Sequence, residues 1–97
     1  MAEIRWTRQA ADDLEVIACF IAEDSVHYAR LFVLDVMSAV ERLAVFPHLG
    51  RIVPEINNPA IREIILGNYR IIHRIREECI EIVTVYHTAR LIDPAKL

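Results

Sequence analysis

Arginine offers more chemistry than any other residue type in this chain. Ten of the eleven basic side chains are arginine, and the one lysine is Lys96. Arg62, Arg70, Arg74 and Arg76 fall between residues 62 and 76. A guanidinium stays charged at every physiological pH and grips carboxylate or phosphate through two parallel N–H bonds. Such a group of arginines is either a rim that meets an anionic or acidic target, or an internal network paired with carboxylates. Glu63 and Glu81 stand on the predicted neighbouring strands and offer Arg70 and Arg74 that second fate. Arg51, next to Gly50, either pins its loop to a carboxylate or helix end or reaches a target. His87 closes a predicted strand, where an imidazole is a structural group or moves a proton. Arg90 follows the last strand and is the best placed of these for a target contact.

The other reactive types lack a setting. Tyr28, Tyr69 and Tyr86 have no Ser/His/Asp or Cys/His context that would make a nucleophile. There is no phosphate-binding glycine loop and no metal motif. Cys19 and Cys79 lack metal-ligand spacing and are expected to be reduced and packed. No metal or cofactor is expected. Asp12 and Asp13 suit the positive end of the helix that begins beside them.

The elements that carry these residues follow from hydrophobic periodicity. Glu3–Trp6 alternates and predicts a short strand. Thr7 caps a first helix whose core stripe is Ala10, Leu14, Ile17, Ala18 and Ile21. Asp24 and Ser25 interrupt it. A second helix runs from Ser25 to Val45, with Ala29, Phe32, Val33, Val36, Met37, Val40, Leu43 and Ala44 inward, and Pro47 and Gly50 stop it. Residues 47–60 hold three of the four prolines and predict a loop. Strands follow over Ile61–Leu66, Tyr69–Arg76 and Cys79–His87. Gly67–Asn68 forms a type II′ turn and Glu77–Glu78 the next turn. Leu91–Leu97 is a tail. The order is β-α-α-β-β-β. This is an α+β fold, an antiparallel sheet with a helical hairpin packed on one face, in a single domain over 1–97.

With 97 residues, a net charge of −3 and 55% apolar residues, the chain is core-rich but acidic. A general nucleic-acid binder is usually basic overall, so direct sequence-specific DNA binding by this chain alone is not expected. No apolar run approaches the ~18 residues of a membrane span, and the first residues lack the apolar run of a signal peptide. A cytoplasmic location is the expectation. At 100° per residue, the core stripes leave Val16, Cys19 and part of Phe20 outward on helix one, and Leu31, Leu34 and Val45 outward on helix two. Scattered exposed apolar residues are ordinary. A continuous strip instead suits an amphipathic helix from another chain.

Several segments, in order, carry a resemblance: W-T-x-x-A-x-x-D-L-x-x-I from Trp6 to Ile17, F-P-x-x-G-R-x-V-P-E from Phe46 to Glu55, I-R-E-I from Ile61, Y-R-I-I from Tyr69, and V-x-H-x-x-R from Val85 to Arg90. Together they resemble the ParE/RelE toxin superfamily, in its ParE-like branch. The resemblance implies the toxin of a type II toxin–antitoxin pair. RelE-like members cut messenger RNA in the ribosome without a metal. ParE-like members poison DNA gyrase and have no known catalytic residues. For a nuclease, the resemblance points to Arg62, Arg70, His87 and Arg90, with Arg70 the best match. Where RelE-like enzymes carry lysines before the hairpin, this chain has Arg62 and Glu63, and an arginine cannot shuttle a proton. A gyrase inhibitor with no catalytic residues is therefore the favoured reading, with the ribosome the lesser target. A family member that has lost toxicity and keeps only an interaction role is the third reading. Target contacts are expected from Arg51, Arg70, Arg74, Arg90 and the tail, and antitoxin contacts from Val16, Phe20, Leu31 and Leu34. The antitoxin's disordered tail is expected to fold on binding. The whole picture supposes a rim of available guanidinium groups.

Overall fold

The computed structural model describes residues 1–97, the side chain of Lys96 excepted. The elements are β1 (Glu3–Trp6), α1 (Arg8–Asp24), α2 (Val26–Val45), β2 (Arg51–Ile52), β3 (Ile61–Leu66), β4 (Tyr69–Ile75) and β5 (Cys79–His87), with a short 3-10 turn at Pro94–Lys96. The Thr7 hydroxyl oxygen accepts from the Ala10 amide at 3.0 Å and its proton goes to the Val83 carbonyl at 2.9 Å. One threonine thus starts α1 and ties that start to β5. Ser25 serves both helices. Its amide donates to the Ile21 carbonyl while its hydroxyl accepts from the Tyr28 amide. Its extended backbone (φ −159°, ψ 112°) turns the chain from one helix into the next.

The sheet order is β1-β5-β4-β3-β2. β2 to β5 run antiparallel, as the meander predicts. β1 joins the β5 edge and runs parallel to it, so the sheet as a whole is mixed. β2 lies inside the segment expected to be loop, where two residues pair with Arg62 and Glu63. Gly50 admits this pairing. Its φ is +92°, and a Cβ there would run into the Glu63 carbonyl. In the β3–β4 turn only Gly67 has positive φ (59°), the signature of the expected type II′ turn.

Both sheet faces are packed. On the helix side, Ala10, Val36, Ala39, Val40 and Leu43 meet Ile71, Ile80, Ile82 and Val85. On the other side Val53 and Ile92 meet Ile61 and Ile72, flanked by Ile56, Val83, Tyr86 and Leu97. Strict alternation cannot place Ile80, Ile82 and Val85 on one face. A bulge does it: Ile72 opposes Thr84 and His73 opposes Ile82, leaving Val83 over. β1 ends opposite Ile82, so β5 runs on past it with no strand beside that edge, and Asp13 of α1 reaches the donors there. Its Oδ2 accepts from the Val85 amide at 3.1 Å and from the Thr84 hydroxyl. Asp13, expected to serve the helix dipole, is instead the bolt between α1 and β5. His73, fully buried, engages the Pro47 carbonyl through Nε2 at 3.2 Å. Burial holds its pKa below the ordinary value, so the ring sits neutral.

Candidate functional site

Arg70 sits on β4 facing the second core and is only 5% exposed. Every N–H of its guanidinium is used. Nε and Nη2 donate to the two Glu63 oxygens at 2.8 and 2.7 Å. Nη1 and Nη2 donate to the two Glu55 oxygens at 2.7 and 2.8 Å. Nη1 also reaches the Arg90 carbonyl at 3.4 Å. Glu55 in turn accepts from the Ile92 amide at 3.1 Å, and Arg51 approaches Glu63 at 3.5 Å. Two bidentate pairs on one guanidinium thus join β3, β4, the 53–56 loop and the C-terminal tail. The Arg70 hydrogen bonds hold the Glu55 carboxyl down at about 2. The two carboxylates, Glu55 first, raise the Arg70 pKa further above its already high value.

This geometry corrects the expected arginine rim. Arg70, the best match to a nuclease cation and an expected target contact, is spent on its own fold. Arg74 pairs with Glu81 at 3.4 Å and donates to the Leu97 carbonyl, and Arg76 shares Glu81 at 3.4 Å. The strand-pairing alternative for Arg70 and Arg74 is the one realised. Arg62 braces the 47–60 segment through the Pro59, His48 and Gly50 carbonyls at 3.0, 3.4 and 3.4 Å. Arg51 approaches Glu63 yet keeps 61% of its side chain exposed. The tail is also no loose arm, because Ile92 is buried in the second core.

His87 and Arg90 remain open at the end of β5. The His87 ring stands edge-on to Tyr69, centroids 5.4 Å apart, and its Nδ1 accepts from the Ala89 amide at 3.1 Å. Arg90 lies 4.9 Å over the Tyr86 ring, a cation–π contact. The two residues line one cleft of about 310 Å³ with Asp12, Asp13, Gln9 and Tyr69 among its walls. Of the four nuclease candidates, only His87 and Arg90 share this cleft, and Arg70 touches Arg90 only through its backbone carbonyl. Arg62 opposes His73, whereas His87 opposes Tyr69. The four-residue offset between Tyr69 and His73 is roughly 13 Å along the strands. The aspartates beside His87 and Arg90 disfavour a phosphate there.

On the outer helix surface Val16 and Phe20 are 68% and 63% exposed, Leu31 and Leu34 41% and 59%. Val16 and Phe20 share an open groove of about 630 Å³ with Asp12, Glu15, Cys19 and Glu23. Leu31 and Leu34 stand on α2 outside that groove. Cys19 also lines a shallow groove between the helices with Ala18, Ala22, Val26, Ala29 and Val33. Glu55 and Asp13 are the residues that sequence reasoning missed. The acid of the Val-Pro-Glu step was the available signal for Glu55, since a carboxylate beside a buried Val53 needs a partner.

The Arg70 guanidinium is thus consumed internally, while apolar residues on the outer helix surface stay open. The chain belongs to the ParE toxin family, whose model, described as ParE toxin of type II toxin-antitoxin system, parDE, matches residues 4–92. Toxin RelE2 of Caulobacter vibrioides (strain ATCC 19089 / CIP 103742 / CB 15) is 30% identical over 92 residues, 94% of this chain and 100% of that protein. The fold is that of a solved chain described as Chromosomal ParDE TA system from P. aeruginosa. The TM-score is 0.73 at 24% identity, over 90% of this chain and 96% of that one. The chain is thus the toxin of a type II toxin–antitoxin system in the ParE/RelE superfamily, and such a toxin has an antitoxin as its partner.

Proposed function

We propose that this toxin acts in the cytoplasm on DNA gyrase by binding alone and is held inactive by an antitoxin laid on its outer helix surface. The observation that carries the reading is the Arg70 network. The cation best matched to a nuclease site is buried and saturated by Glu55 and Glu63. A ribonuclease of this kind needs a base, an acid and cations converging on one phosphate. Here Arg62 braces a loop and Arg74 is paired, while Arg51 and Arg90 keep exposed cationic ends for a protein target. The antitoxin contacts are Val16 and Phe20 on α1 and Leu31 and Leu34 on α2. Phe20→Glu and Leu34→Glu are expected to weaken antitoxin binding in titration calorimetry while circular dichroism stays that of the parent. Unchanged affinity in both variants would place the antitoxin elsewhere.

A second reading, a ribosome-dependent ribonuclease, draws support from the likeness to Toxin RelE2 and from His87 and Arg90 sharing a cleft. Induced expression separates the two. DNA damage and filamentation are the outcome of gyrase poisoning. Rapid loss of translation with cut messages is the outcome of RNA cleavage.

A further inference from the structure

The groove on α1 has a chemical sign that the α2 patch lacks. Asp12, Glu15, Val16, Cys19, Phe20 and Glu23 all line it. Their spacing of three and four residues stacks them on one helix face over about 16 Å, or three turns. α1 carries five carboxylates against one arginine. Among the described residues, Asp12, Glu15 and Glu23 make no ion pair or side-chain hydrogen bond, so their charge faces outward. Around Leu34 on α2 the charges are mixed, with Arg30 and Arg42 against Asp35 and Glu41.

An apolar centre bounded at both ends by unpaired carboxylates selects its occupant. A nucleic acid or an anionic lipid surface meets like charge there. A second copy of the chain through the same face sets acid against acid. A helix with apolar anchors and cationic flanks fits both features. Resting on the antitoxin reading above, we infer that the segment docking on α1 is a cationic amphipathic helix. Its apolar anchors cover Val16 and Phe20, and Lys or Arg one turn to either side face Asp12, Glu15 and Glu23. Phe20 supplies affinity and the three acids supply orientation and selectivity of sign.

The test uses the full chain and two synthetic peptides of about 15 residues, long enough to cover the face. Both carry the same leucine anchors, with lysine flanks in one and glutamate flanks in the other. Exposed charge pairs change affinity about two- to fivefold each. The lysine peptide is therefore expected to bind about tenfold tighter at about 50 mM salt, with most of the advantage gone at about 300 mM. The Asp12→Asn/Glu15→Gln/Glu23→Gln variant is expected to abolish that preference and to weaken binding of the cognate antitoxin about five- to tenfold. Equal binding of the two peptides overturns the inference. So does wild-type antitoxin affinity in the triple variant when Phe20→Glu still weakens it, a result that leaves the docking face standing without its charge rule. If neither variant changes antitoxin affinity, the α1 surface is not the antitoxin site, and both readings of it fall together.

Discussion

Replacing Arg70 by methionine tests the network that decides what this chain has left for chemistry. Met keeps much of the side chain's length and apolar bulk but no charge, so packing changes little. It strands Glu63, whose side chain is wholly buried, with Arg51 at 3.5 Å, itself 61% exposed, as its remaining ion-pair partner among the described residues. Removing one partner of a buried pair costs about 3–5 kcal/mol, because the remaining charge is buried without compensation. A domain of this length has a total stability of about 5–15 kcal/mol, so the loss consumes about a fifth or more of it. With a urea slope of about 1–1.5 kcal/mol per molar for a chain this small, the midpoint falls by about 2–5 M. Fluorescence of Trp6, half-buried against the first core, reads the transition in parallel with circular dichroism. Removing all three charges, as Arg70→Met/Glu55→Gln/Glu63→Met, is expected to restore most of the loss, since apolar substitutes for a buried ion network are often neutral. A single Arg70→Met variant within about 1 kcal/mol of the parent would refute the reasoning, because the network would then be a surface pair in energetic terms.

Other consequences are as direct. Glu55 sits at about 2 against an ordinary 4.5, so its ionised form stabilises the fold above pH 4.5 and that contribution is lost as pH falls toward 2. Glu55→Gln is expected to cost about 2–3 kcal/mol at neutral pH and almost nothing near pH 2, checked by urea midpoints across that window. Asp13→Ala takes the acceptor from the Thr84 hydroxyl and the Val85 amide and is expected to cost about 1–3 kcal/mol. Amide exchange at Val85 is expected to quicken, and an unchanged rate there would show that amide to be protected by other means.

Local pattern made much of this fold legible. Thr7, Ser25 and Pro47 mark helix ends by their own chemistry, and Gly67 marks its turn by its backbone freedom. The apolar stripes of α1 and α2 and the three long strands follow from period alone. What stayed hidden depends on residues far apart in the chain. The parallel alignment of β1 needs β5, more than seventy residues later. β2 is two residues long and exists because Gly50 lets the chain close on β3. The bulge at Val83 breaks the alternation that sequence reading relies on, and Asp13, the acceptor for the next two residues, comes from another element. The arginines misled for the same reason. Nothing local distinguishes a guanidinium facing solvent from one facing Glu55, fifteen residues back and across a loop. The pairing of Arg70 with Glu63 and Arg74 with Glu81 was open to strand-register reasoning, and the register decided for it. The resemblance in the five motifs survives this correction, because Trp6, Asp13, Gly50, Glu55 and Arg70 prove to be parts of the scaffold.

The central claim is that the toxin works by binding and moves no proton. Adding the purified chain and its His87→Ala variant to a gyrase supercoiling reaction, beside a ribosome-programmed messenger, measures this directly. The account predicts that both proteins block supercoiling to the same extent and leave the message intact. Message cut by the parent and spared by a folded His87→Ala variant, with supercoiling untouched by either, would contradict it.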